Sequence, residues 1–338
     1  MLNLSQNGCS VWVASSTEGL LTPTAVALGK FDGVHLGHQR VIQPVLPSAE
    51  KSGNGERVYS TVVTFHPHPQ EFFSGQPRAL LTPLDEKVQQ LRSLGVEQLV
   101  LLPFDKDLSA LSPENFVEQI LVKQLQCRKV SVGQDFCFGK QRLGTAKDLQ
   151  ILAAKYDIPV TIVPIKTYLD ENLKIAPIED HHRISTSLIR QTLEDGDIPQ
   201  ATILLGRPYT LTGVVIPGQH LGKTIGFPTA NLQLPADKFL PRQGVYAVRV
   251  SIFNETTNTS PVRNLGVMNI GNRPTVNGTY SSVEVHLFDW SDDLYGKYLV
   301  VELVSFLRSE QKFPNLEALK NQIQLDCTVA RQVLNTAY

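Results

Sequence analysis

The chain has 338 residues and a net charge of −1, with 31 Lys and Arg against 32 Asp and Glu. That length suits two domains, each large enough for its own core. So even a charge gives no long-range pull toward nucleic acid or an anionic membrane, and any phosphate site has to be local. The four cysteines, Cys9, Cys127, Cys137 and Cys327, are scattered and form no CxxC pair, which argues against a disulfide framework or a thiolate zinc site. No apolar run approaches a membrane span, since the strongest, Leu99 to Phe104, already contains Pro103. The start, MLNLSQNGCS, lacks a basic region ahead of an apolar core, so Cys9 is not a lipid-anchor site. Without export, the glycosylation patterns at Asn254, Asn258 and Asn277 mean nothing. The expected setting is cytoplasmic, with neither a membrane nor a nucleic acid as partner; no oligomeric state is assigned.

In chain order, the first half alternates short β-rich runs with amphipathic stretches. The runs are Ala25–Leu28, Val58–Phe65, Gln98–Leu102, Lys129–Val132 and Val160–Ile165. Between them, Leu84, Val88, Leu91 and Leu94 keep a helical spacing that Gly95 ends. Ser112-Pro113-Glu114 reads as a cap, an N1 proline and an early acid ahead of Phe116, Val117, Ile120 and Leu121. Thr145 caps a helix over Ala146–Tyr156, and Pro44 should shorten or kink the helix after His38. The alternation predicts an open parallel sheet covered by helices, with its ligand at the carboxyl ends of the strands.

Four polar clusters fall at those ends. The first is Ala27-Leu-Gly-Lys-Phe-Asp-Gly-Val-His-Leu-Gly-His38, a glycine-bearing loop between a strand and a helix start, which is an anion-binding geometry. If His38 lies in the first helical turn, the imidazoles of His35 and His38 can both face one phosphate; the competing readings of HxxH are a surface coincidence and half of a metal site. Thr64-Phe-His-Pro-His-Pro69 is a stiff loop after the second run. Gly133-Gln-Asp-Phe-Cys-Phe-Gly-Lys-Gln-Arg-Leu-Gly144, with two aromatics, an acid and two cations, follows the fourth, and Arg183-Ile-Ser-Thr-Ser-Leu-Ile-Arg190 opens a helix at Ser185 or Thr186 with hydroxyls and arginines suited to phosphate oxygens.

Gly196-Asp-Ile-Pro199 ends the last helix of this half, so the domains are expected to span 1–198 and 199–338. After a short helix over Gln200–Leu205 the pattern changes. Tyr209–Ile216, Tyr246–Ile252, Val262–Met268, Ser282–Phe288 and Leu299–Leu307 alternate or are β-branched, and predict an antiparallel barrel. A helix from about Asn315 to Leu334 covers it. Gly222-Lys-Thr-Ile-Gly-Phe-Pro-Thr-Ala-Asn-Leu232 is a glycine-bearing loop that lacks Walker A spacing, and Glu284 and His286 share one face of their strand.

Together, GKFDGVHLGH, TFHPHP, GQDFCFG and RISTSLIR resemble the nucleotidyltransferase half of the bacterial bifunctional riboflavin kinase/FAD synthetase family. GFPTANL, Gly244-Val-Tyr246, VMNIGNRPT and VEVHLFDW resemble its flavokinase half. The resemblance implies an α/β chain: an N-terminal nucleotidyltransferase-type parallel sheet with flanking helices, then a six-stranded flavokinase β-barrel with a terminal helix. It implies phosphorylation of riboflavin to FMN by the second domain and adenylylation of FMN to FAD by the first, each with ATP and Mg²⁺. Carried over residue by residue, His35 and His38 act on the ATP phosphates and Glu284 is the general base of the kinase. Gly29, Phe31, Gly37, His38, Arg183, Thr186, Lys223, Thr229 and Asn231 bind ATP, with Thr229 and Asn231 also at the metal. Asp135 and Phe136 bind flavin. His66 stands where an acid is expected and Cys137 where a basic residue is common. The rival enzyme reading is a nucleotidyltransferase acting on another small phosphate, with the barrel as a flavin-binding regulatory domain.

Overall fold

The computed structural model describes residues 11–47, 56–165, 183–218, 221–253, 263–275 and 278–336. Cys9 and the patterns at Asn254, Asn258 and Asn277 lie outside the described residues. The chain divides into two compact units, Met1–Thr186 and Ser187–Tyr338.

The strands of the first unit are β1 (Trp12–Ala14), β2 (Thr24–Leu28), β3 (Tyr59–His66), β4 (Gln98–Pro103) and β5 (Cys127–Gly133). A short hairpin of β6 (Cys137–Phe138) and β7 (Gly144–Thr145) precedes the last strand, β8 (Val160–Val163). All but the hairpin form one parallel sheet in the order β1-β4-β3-β2-β5-β8. The chain thus moves outward from β2 through β3 to β4, then returns to the other side of β2 with β5. That reversal is a topological switch point, where an open sheet leaves a crevice at the strands' carboxyl ends. Every residue of β2 is buried, because helices cover both faces. Val26 and Leu28 pack into one core with Val130, Leu149 and Phe116, while Ala25 and Ala27 pack into the other with Ile42, Val62 and Leu91.

Local signals account for most of the helices, which are α1 (Leu36–Ile42), α2 (Pro69–Ser74), α3 (Leu84–Ser93), α4 (Lys106–Ala110), α5 (Pro113–Phe116) and α6 (Ala146–Ala154). Ser112 Oγ accepts the Asn115 N–H at the start of α5, and Thr145 and Asp148 form a reciprocal capping box on α6. Pro44 acts as expected: α1 stops at Ile42, and Gln43–Val45 tightens into a 3₁₀ turn. Two features differ from expectation. The apolar run after α5 continues as a π-helix over Val117–Gln124, and the three-residue strand β1, too short to show a period, adds to the sheet edge beside β4.

In the second unit, α7 (Thr186–Asp195) and α8 (Ile198–Leu205) lead into β9 (Thr210–Ile216), the single turn α9 (Leu221–Thr224) and β10 (Ala230–Gln233). The long strands β11 (Gly244–Phe253), β12 (Arg263–Thr275), β13 (Gly278–Leu287) and β14 (Tyr298–Arg308) follow, and α10 (Leu316–Thr336) ends the chain. The six strands close a barrel in the order β10-β13-β12-β11-β14-β9, with all neighbours antiparallel. The packing division at Thr186 falls earlier than the helix-ending signals at Gly196 and Pro199, because the helix bearing those signals is bound to the barrel. The Leu193 carbonyl accepts the Arg242 N–H at 2.9 Å, the Asp195 carbonyl accepts from Arg242 Nη1 at 3.1 Å, and the Arg190 guanidinium lies 4.7 Å from the Phe239 ring centre.

Register sorts the barrel's side chains. Ala230, Val285, Met268 and Tyr246 oppose one another across four strands and are buried inside. One residue on, Asn231, Glu284 and Asn269 form a parallel row on the outer face, ending at Val245. Val245 belongs to the apolar patch that α10 covers with Ala330 and Leu334. Asp326 holds α10 in place: Arg308 donates to it from Nε at 2.9 Å and from Nη2 at 2.7 Å, and Gln322 adds a third donor at 2.9 Å. The Asp326 side chain is 7% exposed and that of Arg308 21%. Removing one partner of a fully buried pair costs about 3–5 kcal/mol, and the partial exposure of Arg308 lowers this to about 2–3 kcal/mol for Asp326→Ala. Urea unfolding of the full chain, followed by circular dichroism, measures it; an unmoved midpoint would show that the pair holds nothing. No described helix is long and apolar enough to cross a membrane.

Candidate active sites

The loop after β2 folds around its own side chains. His35 is the N-cap of α1, and its Nδ1 accepts the His38 N–H at 3.3 Å. An accepting Nδ1 places the proton of the neutral ring on Nε2, which makes His35 a donor there. The two imidazoles stack 3.7 Å apart at 19°, and Phe31 sits 5.2 Å from the His38 ring. Gly37 permits this, since a Cβ there would lie 3.1 Å from the His35 ring.

Asp32, buried within the same loop, is a joint that sequence reading passed over. Its carboxylate accepts the N–H groups of Leu81 at 2.8 Å and Thr82 at 3.3 Å, and Thr82 Oγ1 accepts the Gly33 N–H at 3.0 Å. Thr186 Oγ1 donates to the Asp32 carbonyl at 3.1 Å, which brings the RISTSLIR segment onto the histidine loop. At the neighbouring strand end, Asp135 and Arg183 form an ion pair, both about half exposed. Phe136 packs on the core and stacks on Phe138 at 5.9 Å.

Cations gather on this side of the sheet. Thr64 Oγ1 anchors the Lys30 backbone by donating to its carbonyl at 2.8 Å. Partial burial, then Arg142 and Arg78, hold the Lys30 ammonium below the ordinary lysine range, with Asp135 opposing. Burial, then Lys30 and Arg78, push His68 down to about 4. His68 Nδ1 also caps α2 by accepting the Gln70 N–H at 3.1 Å, which a protonated nitrogen cannot do. The folded pKa lies below the unfolded value near 6.5, so the unfolded chain binds more protons between about pH 4 and 6.5. The contribution of His68 to stability is therefore complete above about pH 6.5 and is lost as pH falls toward 4. Urea midpoints at pH 7 and pH 4.5 should differ less in His68→Asn, which caps without titrating. An unchanged difference would remove His68 from the acid response.

In the barrel, Thr229 Oγ1 donates to Glu284 Oε2 at 3.3 Å, and Asn231 stands directly opposite Glu284 in the ladder. The GFPTANL loop and the VEVH strand thus meet on the outer face. Gly222 lies against the Phe227 carbonyl, and the Phe227 N–H donates to the Gly222 carbonyl at 2.8 Å, closing the loop on itself. The Lys223 side chain lies outside the described residues.

Comparison with known proteins decides the family. Residues 18–175 match the FAD synthetase family and residues 205–334 the riboflavin kinase family. A Bacillus subtilis bifunctional riboflavin kinase/FMN adenylyltransferase is 38% identical over 309 residues, 90% of each chain. The Escherichia coli K12 protein of the same description is 38% identical over 308 residues, 91% of each. The chain belongs to the bifunctional riboflavin kinase/FMN adenylyltransferase family. A solved Streptococcus pneumoniae structure, described as a macrolide-efflux protein, has 29% identity and a TM-score of 0.77, covering 95% of this chain and 98% of its own.

Within this family's two-domain plan, the structure brings Phe31, Gly37, His35, His38 and Thr186 together around one loop, with Gly29 against the Phe31 ring. It joins Asp135 to Arg183, to which the family resemblance gives different ligands. Arg78 stands alone in sequence and outside every cluster, whereas Lys30 and Arg142 lie inside two of them, and only the fold brings the three cations together. The metal-site reading of HxxH gains no third ligand, since the described residues hold no cluster of three or more His, Cys, Asp or Glu. In the barrel, Thr229, Asn231 and Glu284 offer hard oxygen donors without a closed cage. That donor set fits Mg²⁺, which keeps several waters and is shared with substrate phosphates.

Proposed function

We propose that the two units work in series, the barrel making FMN and the parallel-sheet unit converting it to FAD. The chain phosphorylates riboflavin to FMN with ATP and adenylylates FMN to FAD with release of pyrophosphate. The domain limits that go with this reading are 1–198 for the adenylyltransferase and 199–338 for the kinase. What carries it is the presence, in one chain, of a stacked histidine pair at a parallel sheet's switch point and a Thr–Glu pair on a barrel's outer face.

In the kinase, Glu284 orients the ribityl 5′-hydroxyl and takes its proton as the oxygen attacks the γ-phosphorus; ADP leaves. Thr229 and Asn231, beside Glu284, hold the nucleotide and are the residues that would hold Mg²⁺. Bound there, Mg²⁺ supplies charge neutralisation on the phosphate oxygens. Lys223, in the same loop, meets the nucleotide phosphates. In the adenylyltransferase, an FMN phosphate oxygen attacks the α-phosphorus and the bond to pyrophosphate breaks. His35 and His38 donate to the phosphate oxygens on which charge builds, with no covalent enzyme intermediate. Gly29, Phe31 and Gly37 shape their loop, Arg183 and Thr186 complete the ATP site, and Asp135 and Phe136 meet the flavin. The setting is cytoplasmic and the partners are riboflavin, FMN, FAD and ATP.

Label tracing tests the series. Supplied with riboflavin and Mg²⁺, label from the γ-phosphate of ATP should enter FMN and then FAD, while label from the α-phosphate should enter FAD alone. Failure to label FMN would leave the barrel as a regulatory domain and end the kinase reading.

A further inference from the structure

We propose that His286 is a positioning residue of the kinase site, holding the Pro228–Thr229 turn so that Thr229 and Asn231 meet the nucleotide beside Glu284. The proposal rests on the kinase reading above.

The ladder between β10 and β13 pairs Ala230 with Val285 and Asn231 with Glu284, and goes no further toward the loop. Pro228 explains the stop, because it has no N–H to offer a ladder. The turn before Ala230 must therefore be held in another way. His286 Nδ1 lies 2.8 Å from the Pro228 carbonyl. A carbonyl can only accept, so the proton of the neutral ring is on Nδ1 and the ring donates. The His286 ring also meets Phe227 edge-on at 5.4 Å. His286 comes from the strand that carries Glu284, two residues on and on the same outer face. Fixing the Pro228 carbonyl fixes the peptide plane entering Thr229, and Thr229 is the residue whose hydroxyl reaches Glu284. His286 thus ties the nucleotide loop to the strand of the base without touching the reacting atoms.

The full-length enzyme is assayed for FMN formation with ATP varied, and separately for conversion of supplied FMN to FAD. In His286→Ala the KM for ATP in the kinase step should rise about ten-fold, the scale of one lost hydrogen bond, with kcat nearly unchanged. In His286→Asn, Nδ2 stands where Nδ1 was and can donate, so KM should return toward wild type. In His286→Gln the amide reaches the Nε2 position instead, and KM should stay high. FMN conversion to FAD should be normal in all three. An unchanged KM in the Ala variant, a fall in kcat at constant KM, or equal behaviour of Asn and Gln would overturn the proposal. A wild-type chain that makes no FMN would instead refute the kinase reading on which it rests.

Discussion

Glu284→Gln should lower FMN formation about a thousand-fold, within the range that a positioned general base contributes, while supplied FMN is still converted to FAD. The glutamine amide keeps the size of the carboxylate and can still accept from Thr229, whose hydroxyl donates to Glu284 Oε2 at 3.3 Å. What it cannot do is take the proton of the ribityl hydroxyl. The loss should therefore fall on kcat, with little change in the KM for ATP. Glu284 lies on the barrel's outer face, so the change leaves the buried row of Ala230, Val285, Met268 and Tyr246 untouched. Quantifying FMN and FAD by chromatography from each substrate checks this; equal loss of both steps would end the division of labour between the units.

His38→Ala should give the opposite pattern, with FMN accumulating and FAD formation falling about a hundred- to a thousand-fold, the cost of one donor aimed at transition-state charge. The ring of His38 stacks on His35 at 3.7 Å and meets Phe31 at 5.2 Å. Its loss also frees the His35 ring to move, which puts the expected effect at the upper end of that range. The His38 backbone N–H, which caps on His35 Nδ1, remains in alanine, so α1 keeps its start. The same chromatography reads the result, and FAD formation at the wild-type rate would take His38 out of the reaction.

Strongly local features of both units were legible in sequence. Ser112, Thr145, Gly95 and Pro44 each act within a few residues of themselves, through caps and ring sterics, and each does in the fold what its chemistry predicts. Two of the short strands, β1 and β10, carry no period in their three or four residues and gain their stability from neighbours 86 positions away or across the barrel. In the sites, motif residues adjacent in sequence were found, whereas partners supplied from a distance were not. Asp32 shows the difference: it sits inside the motif, yet its role lies in reaching Leu81 and Thr82, 49 and 50 residues on. The Asp135–Arg183 pair, 48 residues apart, is of the same kind. Composition and spacing name candidates, and only register and packing say which of them touch.

The alternation along β13 also limits how this enzyme can change. Val283, Val285 and Leu287 face inward while Glu284 and His286 face out, so deleting a single residue between them would turn the strand over beyond that point. A carboxylate or an imidazole would then enter the dry interior, and valines would stand on the face proposed for the nucleotide. Stability and kinase chemistry would fail in one event. Inheritance can therefore vary this strand by exchanging residues, but not by shortening or lengthening it.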